Sequence, residues 1–372
     1  MIAYLVPPPP AVARTVPESF LSGSSDRVLF RRADYGELEG WREDNHQEAL
    51  EALVQSCRRI VSMGKRGPIF PQLSREVVSG DFFGVCRIAE MLRTRNYSGE
   101  FVRIFFETFF VPYQVVDRDS TKSLFTGYYI PKILARRKRD GVFKYPIYRK
   151  PPDVVEGIKY YTREQIQRGA LDSRNLEILY TNDPIELYFL HIQGSGMAKL
   201  VDENRWVYIG YGGKNNCSYS PIDGRLLAEG ASGGRKFAFT GKLTKQELKK
   251  NVGEAMELLN LNESYVFFKF LENGEFTGAF GTKLIPGRTM AVDSRFIPLG
   301  FPLWLSTRHT KKTSRKKFNR LMFANDVGAA IKGVNRGDIF FGFGKNGEDE
   351  SSFQYSEGQY FLLVPVKVAK KL

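Results

Sequence analysis

Three aspartates near the end of the chain, Asp293, Asp326 and Asp338, most constrain what it can fold into. Each stands where a short apolar run begins or ends, in TMAVDSRFIPLG, LMFANDVG and RGDIFFGFG, all between Arg288 and Gly344. Short apolar runs bounded by turn residues read as strands, and strand ends deliver polar groups to one edge of a sheet or barrel. A single Asp in such a place is an ordinary turn former. Three in so short a span point to a shared carboxylate site.

A chain of 372 residues is long enough for two hydrophobic cores. Its 42% hydrophobic and 13% aromatic content excludes the disordered class. The formal charge of +14 calls for an anionic partner or surface. Nucleic acid, anionic lipid and acidic polysaccharide all satisfy that charge. The basic runs at 136–139 and 308–317 read as solvated loops with no nucleic-acid motif beside them, so no nucleic acid is expected. Cys57, Cys86 and Cys217 are too few and too scattered for a disulfide framework or a zinc knuckle. Cys57 and Cys86 lie on apolar helical faces and are expected as small core residues. His46, His191 and His309 lack metal-ligand spacing, so neither metal nor cofactor is expected. No apolar run is long enough to span a membrane.

Along the chain, residues 1–26 contain PPPP and SGSS and read as an unstructured arm. Leu50, Leu53, Val54, Cys57, Ile60 and Val61 then recur at helical spacing, with Gly64 beyond the end. Asp81 is expected to cap a second helix. Ser98 opens a third, apolar on most sides and therefore buried, that stops at Pro112. The texture changes near Leu124 to strand-like runs rich in Tyr, Pro and Gly, and again near Ser264. Between these points Thr162 and Gln165 form a capping box for a short helix ending near Gly169, and Thr244 and Glu247 form another for a helix running to about Leu261. ELYFLHIQGSG (186–196) reads as an apolar strand entering a Gly-Ser-Gly turn, and 206–219 as a strand with a glycine-rich loop. YVFFKFLENGEFTGAF after Ser264 reads as a hairpin turning at Asn273-Gly274.

In order along the chain, GWREDNH, FTGYYIP, ARRKRDGVFKYPIYRKPP, YYTREQIQRGAL, FLHIQGSG, YIGYGGKNNCSY, SYVFF and the three aspartate segments resemble the membrane-bound lytic murein transglycosylase A (MltA) family with its three-aspartate (3D) region. The resemblance covers roughly residues 41–365. It departs at Gly328-Ala329, where the family shows a Gly-Gly pair. It also departs at the start, where residues 1–6 are too short for the apolar core of a signal peptide and the first cysteine lies too deep for a lipid anchor. The fold implied is mainly β with N-terminal helices: a double-psi β-barrel domain (27–120 and 264–372) plus a smaller inserted β-domain (121–263), with a groove between them. The texture breaks near Leu124 and Ser264 agree with that division.

The resemblance implies cleavage of the β-1,4 bond between N-acetylmuramic acid and N-acetylglucosamine without water, the muramic C6 hydroxyl attacking C1 to leave a 1,6-anhydro ring. One carboxyl can serve as acid and then as base, and the attacking hydroxyl is already in place. The family's catalytic Asp maps onto Asp338. Its neighbours Ile339, Phe340 and Phe341 are apolar, and burial can lift a carboxyl from ~3.9 by up to about 3–5 units. Asp326 is expected beside it as a supporting carboxylate. Asp293 supports more weakly, a role in fixing the turn before IPLG being equally open. Gln193, Gly194 and Ser195 are expected to contact sugar, Tyr128 and Tyr129 to stack on it, and Asn215 and Lys214 to follow as weaker candidates. The expected partner is the peptidoglycan glycan strand, in the periplasm, with room for peripheral outer-membrane or cell-wall association. Two other readings remain: a two-carboxylate glycoside hydrolase on the same barrel, and a non-catalytic murein-binding protein.

Overall fold

The computed structural model describes residues 20–22, 27–71, 74–220, 222, 245–311 and 314–371. In chain order the strands are β1 (Phe20–Ser22), β2 (Val28–Arg32), β3 (Phe110–Asp117), β4 (Leu124–Ile130), β5 (Lys132–Arg136), β6 (Tyr145–Tyr148), β7 (Glu177–Thr181) and β8 (Gly196–Leu200). They continue with β9 (Arg205–Lys214), β10 (Val266–Phe270), β11 (Thr289–Val292), β12 (Pro302–Thr310), β13 (Arg315–Asp326), β14 (Arg336–Phe343), β15 (Tyr355–Ser356) and β16 (Gly358–Pro365). One sheet runs β1-β2-β3-β16-β12-β13-β11-β14-β4-β15, and a second runs β10-β9-β8-β5-β7-β6. In the first, β11 is parallel to β13 and β14 is parallel to β4, while the other pairings are antiparallel. β15 returns to β12, where Thr310 Oγ1 and Ser356 Oγ lie 2.7 Å apart and Gln354 donates to the carbonyls of Phe125 and Arg308. The strands β12-β13-β11-β14-β4-β15 thus close almost into a barrel. The expected inserted unit, 121–263, gives β4 to this barrel, and the second sheet takes β10 from beyond Glu263.

Helices α1 (His46–Ser62), α2 (Phe83–Thr94) and α3 (Gly99–Phe109) brace the barrel. The α1 stripe packs with Leu50, Leu53, Val54, Cys57 and Ile60 buried and Asn45 capping the first turn, while Val61, the last of the expected stripe, is exposed. Trp41 meets Trp304 of β12 edge-on at 5.1 Å, and Phe70 and Phe82 both contact Phe301. Arg288, 0% exposed, joins the two layers. Its Nη1 and Nη2 donate to Asp44 at 2.7 and 2.9 Å, and Nη2 also donates to Glu48 at 2.8 Å.

Several local expectations need correction. Part of the supposed N-terminal arm, β1, pairs with β2; the rest of it lies outside the described residues. Cys57 and Cys86 are bonded in a disulfide that straps α1 to α2, their Cα atoms 5.2 Å apart. Facing helices brought together two cysteines that looked unrelated in sequence. Asp81 closes a short turn ahead of α2, accepting from Val78 N and pairing with Lys371, and Phe82 takes the capping position. α3 ends at Phe109, and Pro112 lies inside β3. α3 also leaves Phe101 and Ile104 exposed on its outer face.

The 186–196 segment is a helix, α5 (Pro184–Gln193), followed by β8. Asp183 accepts from the amides of Ile185 and Glu186, Pro184 occupies the first turn, and Gly194 ends the helix at φ 78°. Those start and stop signals outweigh the β-like run of apolar residues. Asn273-Gly274 does turn the chain, but β10 pairs with β9 and no hairpin forms. The capping residue Thr244 lies outside the described residues; the helix after it breaks at Asn251, which caps a second one over Val252–Leu259. The capping box at Thr162 and Gln165 is present and opens the short α4 (Arg163–Gln165).

Removing one partner of a buried ion pair leaves the other unpaired, which costs about 3–5 kcal/mol. Asp44→Asn combined with Glu48→Gln, which removes both carboxylates from Arg288, should therefore lower the unfolding free energy by that order in urea denaturation. A loss below about 1 kcal/mol would show that Arg288 is not what holds helices to barrel.

Candidate active site

β11 positions the chemistry. All four of its residues are buried, and Ala291 is the register partner of Asp326 on β13 and of Asp338 on β14. Neighbouring strands are ≈ 4.7–4.9 Å apart, so the two aspartate Cα atoms lie about two such spacings from each other. Gly337, next to Asp338, is required by close approach: a Cβ there would stand 2.8 Å from Met290 Sδ and 2.9 Å from Phe125.

Asp338 is half-buried, and the Ile339 and Phe340 that follow it are wholly buried. Thr126, its register partner on β4, donates from Oγ1 to Asp338 Oδ1 at 2.5 Å. Arg336 Nη2 donates in turn to Thr126 Oγ1 at 2.8 Å. Burial pushes the Asp338 carboxyl up to about 6, against the pull of the Arg336 charge and the Thr126 hydroxyl, and the Asp326 charge adds to the rise. Asp326 accepts from Tyr128 Oη at 2.8 Å, Ala279 N at 3.0 Å and Val327 N at 2.9 Å. Burial still raises its carboxyl above the ordinary range, although those three donors oppose it. Thr126 and Tyr128 are two apart on one strand, so one face of β4 serves both carboxylates.

Asp293 differs from the other two. It lies beyond the end of β11 and is 3% exposed, accepting from Arg295 Nη2 at 2.6 Å and from Gly333 N at 2.8 Å. Burial pushes this carboxyl up, but Arg295 and the amides outweigh it and hold it below the ordinary value. Among the described residues no hydrogen bond joins it to Asp326 or Asp338.

Gln193 Oε1 accepts from Tyr129 N at 3.0 Å, which docks the end of α5 onto β4 three residues from Thr126. Gly194 makes the left-handed turn, and Ser195 follows it, half-buried. The two tyrosines are not stacking platforms. Tyr128 is buried against Phe340, 5.2 Å between centroids, with its hydroxyl on Asp326, and Tyr129 is buried under Lys245. Asn215 is not a substrate contact either. It is 0% exposed, donates to the carbonyls of Tyr161 and Glu263, and accepts from the amides of Cys217 and Tyr265.

Thr126 and Arg336 are site residues that sequence reading missed. Arg336 stands two before Asp338 and so on the same strand face, a signal the sequence did carry. Thr126 needed the β4–β14 register. Tyr219 is also close: burial, then the Tyr188 and Asp338 charges, push its hydroxyl up to about 12. Among the described residues no group of three or more His, Cys, Asp or Glu could hold a metal.

The raised Asp338 carboxyl has a sign in stability. Between pH 3.8 and about 6 the folded protein holds a proton that the unfolded chain has lost, so stability falls as pH rises through that window. Asp338→Asn should therefore stabilise the fold by up to about 3 kcal/mol at pH 8, and not from this source at pH 3. Denaturation at the two pH values measures the difference; equal effects would contradict it.

Residues 124–269 match the family model of the MltA-specific insert domain, and residues 288–364 match that of the 3D domain. The chain is 33% identical over 226 residues to the membrane-bound lytic murein transglycosylase A of Vibrio cholerae, covering 59% of this chain and 60% of that one. It spans 60–65% of the length of the curated relatives it matches. The solved lytic transglycosylase LtgG of Burkholderia pseudomallei is 33% identical with a TM-score of 0.61, over 96% of this chain and 100% of that one. Escherichia coli MltA with bound chitohexaose is 26% identical with a TM-score of 0.64, over 95% of each chain. The two matched segments carry Gln193 and all three aspartates, and with this similarity the chain belongs to the membrane-bound lytic murein transglycosylase A family.

Proposed function

We propose that the protein is a lytic transglycosylase that cleaves the β-1,4 bond after N-acetylmuramic acid in murein glycan strands without water. The observation that carries this reading is Asp338: a carboxyl at about 6, donated to by Thr126 and set among buried aromatic residues. Such a group is protonated often enough near neutrality to act as an acid. In the first step Asp338 gives its proton to the glycosidic oxygen as the C1–O bond breaks. The resulting carboxylate then takes the proton of the C6 hydroxyl while O6 bonds to C1, closing the 1,6-anhydro ring and restoring the acid. Thr126 stabilises the carboxylate between the steps, and Arg336 orients Thr126.

A water-activating base suits Asp326 poorly, because Tyr128, Ala279 and Val327 already occupy its oxygens. Its charge instead helps to keep Asp338 protonated. Substrate class follows from family membership, from the formal charge of +14 facing a carboxylate-bearing polymer, and from the bound chitohexaose of the Escherichia coli neighbour, itself a β-1,4-linked amino-sugar chain. The Cys57–Cys86 disulfide fits an oxidising compartment such as the periplasm. No described helix is long and apolar enough to cross a membrane, and peripheral association with the outer membrane is a proposal drawn from the family alone.

Mass spectrometry of fragments released from purified murein tests the reading. The expected product ends in 1,6-anhydromuramic acid, one water lighter than the hydrolysed fragment, and reducing ends would overturn it. General acid–base catalysis is typically worth roughly 10²–10⁴-fold, and one group here serves both steps. Asp338→Asn should therefore lose activity at or beyond the top of that range while still binding murein. The wild-type rate should fall as pH rises through about 6, because the acid form is consumed.

A further inference from the structure

Against the second sheet lies a cavity of ≈ 340 Å³, within the size range of small-ligand sites. Tyr145, Tyr148, Tyr180, Tyr188 and Tyr265 line it, together with Arg163 of α4. Arg163 is only 1% exposed. Its Nε donates to Asn262 O at 3.0 Å and its Nη2 to Ser264 O, and its guanidinium carbon is 4.8 Å from the Tyr188 ring centroid and 5.4 Å from that of Tyr265. Among the described residues no carboxylate lies within ion-pair distance of it, and Nη1 meets no acceptor.

A guanidinium taken out of water without a counter-charge is unfavourable, and buried charges are normally paired. Burial accordingly lowers the affinity of Arg163 for its proton. Arg139 and Lys144 add positive charge to the lining. Asp172 and Glu177 line it as well, and Asp172 accepts from the Tyr148 hydroxyl at 3.4 Å. The five tyrosines in the walls have rings that offer apolar faces to sugar C–H groups and hydroxyls that offer hydrogen bonds.

We infer that the cavity binds a carboxylate-bearing sugar of one or two rings, its carboxylate on Arg163 Nη1 and its ring faces against the tyrosines. Murein strands stripped of their stem peptides supply such a group as the free lactyl carboxylate of N-acetylmuramic acid, so the inference rests on the substrate class proposed above. It adds a second anchoring point for the strand beyond the carboxylate pair.

Calorimetric titration of the full chain carrying Asp338→Asn tests it with three probes: N-acetylmuramic acid, N-acetylglucosamine and the dipeptide alanyl-glutamate. N-acetylmuramic acid should bind at least tenfold more tightly than either of the others. Gln167 lines the cavity yet is exposed, so Gln167→Trp should block the entrance without disturbing the fold and abolish that binding. Arg163→Met should bring the two sugars to equal affinity. Equal affinities in the parent protein, tighter binding of the dipeptide, or binding untouched by Gln167→Trp would each overturn the inference. Reducing-end products in the murein digest would remove the cleavage chemistry and leave this binding result standing, so the two failures are distinguishable.

Discussion

The buried guanidinium of Arg288 is the contact through which the helices and the barrel become one body. It stands immediately before β11 and reaches back to Asp44 and Glu48 at the start of α1, with Leu321 O and Asn45 O as further acceptors. Asp44 repeats the link by accepting from Leu321 N on β13. A charge with no exposure at all tolerates little movement, because any displacement leaves it short of partners in a region without water. β11 therefore begins at a fixed place. From there its pairing on both edges places Asp326 and Asp338 on either side of Ala291.

The three aspartates look alike in sequence and end in three electrostatic states. Asp293 has an arginine and backbone amides around it and is held below the ordinary range. Asp326 is pushed up by burial against three donors. Asp338 has one hydroxyl donor and a nearby guanidinium that bonds to that hydroxyl, not to the carboxylate itself. Burial wins there, and the carboxyl rises to about 6. The separation follows from the number of donors each site provides, since every donor that reaches a carboxylate favours its charged form. A fold that keeps an under-solvated carboxyl at its centre gives up stability above that pH, a common trade at active sites.

Much of this was legible in the sequence, and the rest was hidden for identifiable reasons. Local signals held: the α1 stripe, the capping box at Thr162 and Gln165, and the apolar runs beside each aspartate. The 186–196 segment was misread because its apolar run outweighed Asp183, Pro184 and Gly194, which lie at its edges. Contacts between distant residues had no local signature. Cys57 meets Cys86, Thr126 meets Asp338, and Tyr128 meets Asp326 only after the chain closes. Asn215 shows the opposite error: a polar residue in a glycine-rich loop looks available, and here every hydrogen-bonding atom of it is used by backbone.

The account depends most on the protonation of one side chain. Carbon-13 NMR of carboxyl-labelled protein, with the Asp338 resonance assigned by its absence from Asp338→Asn, measures that side chain directly. The predicted titration midpoint is about 6. A midpoint near the ordinary carboxylate value of ~3.9 would contradict the account, because Asp338 would then hold almost no proton to give at neutral pH.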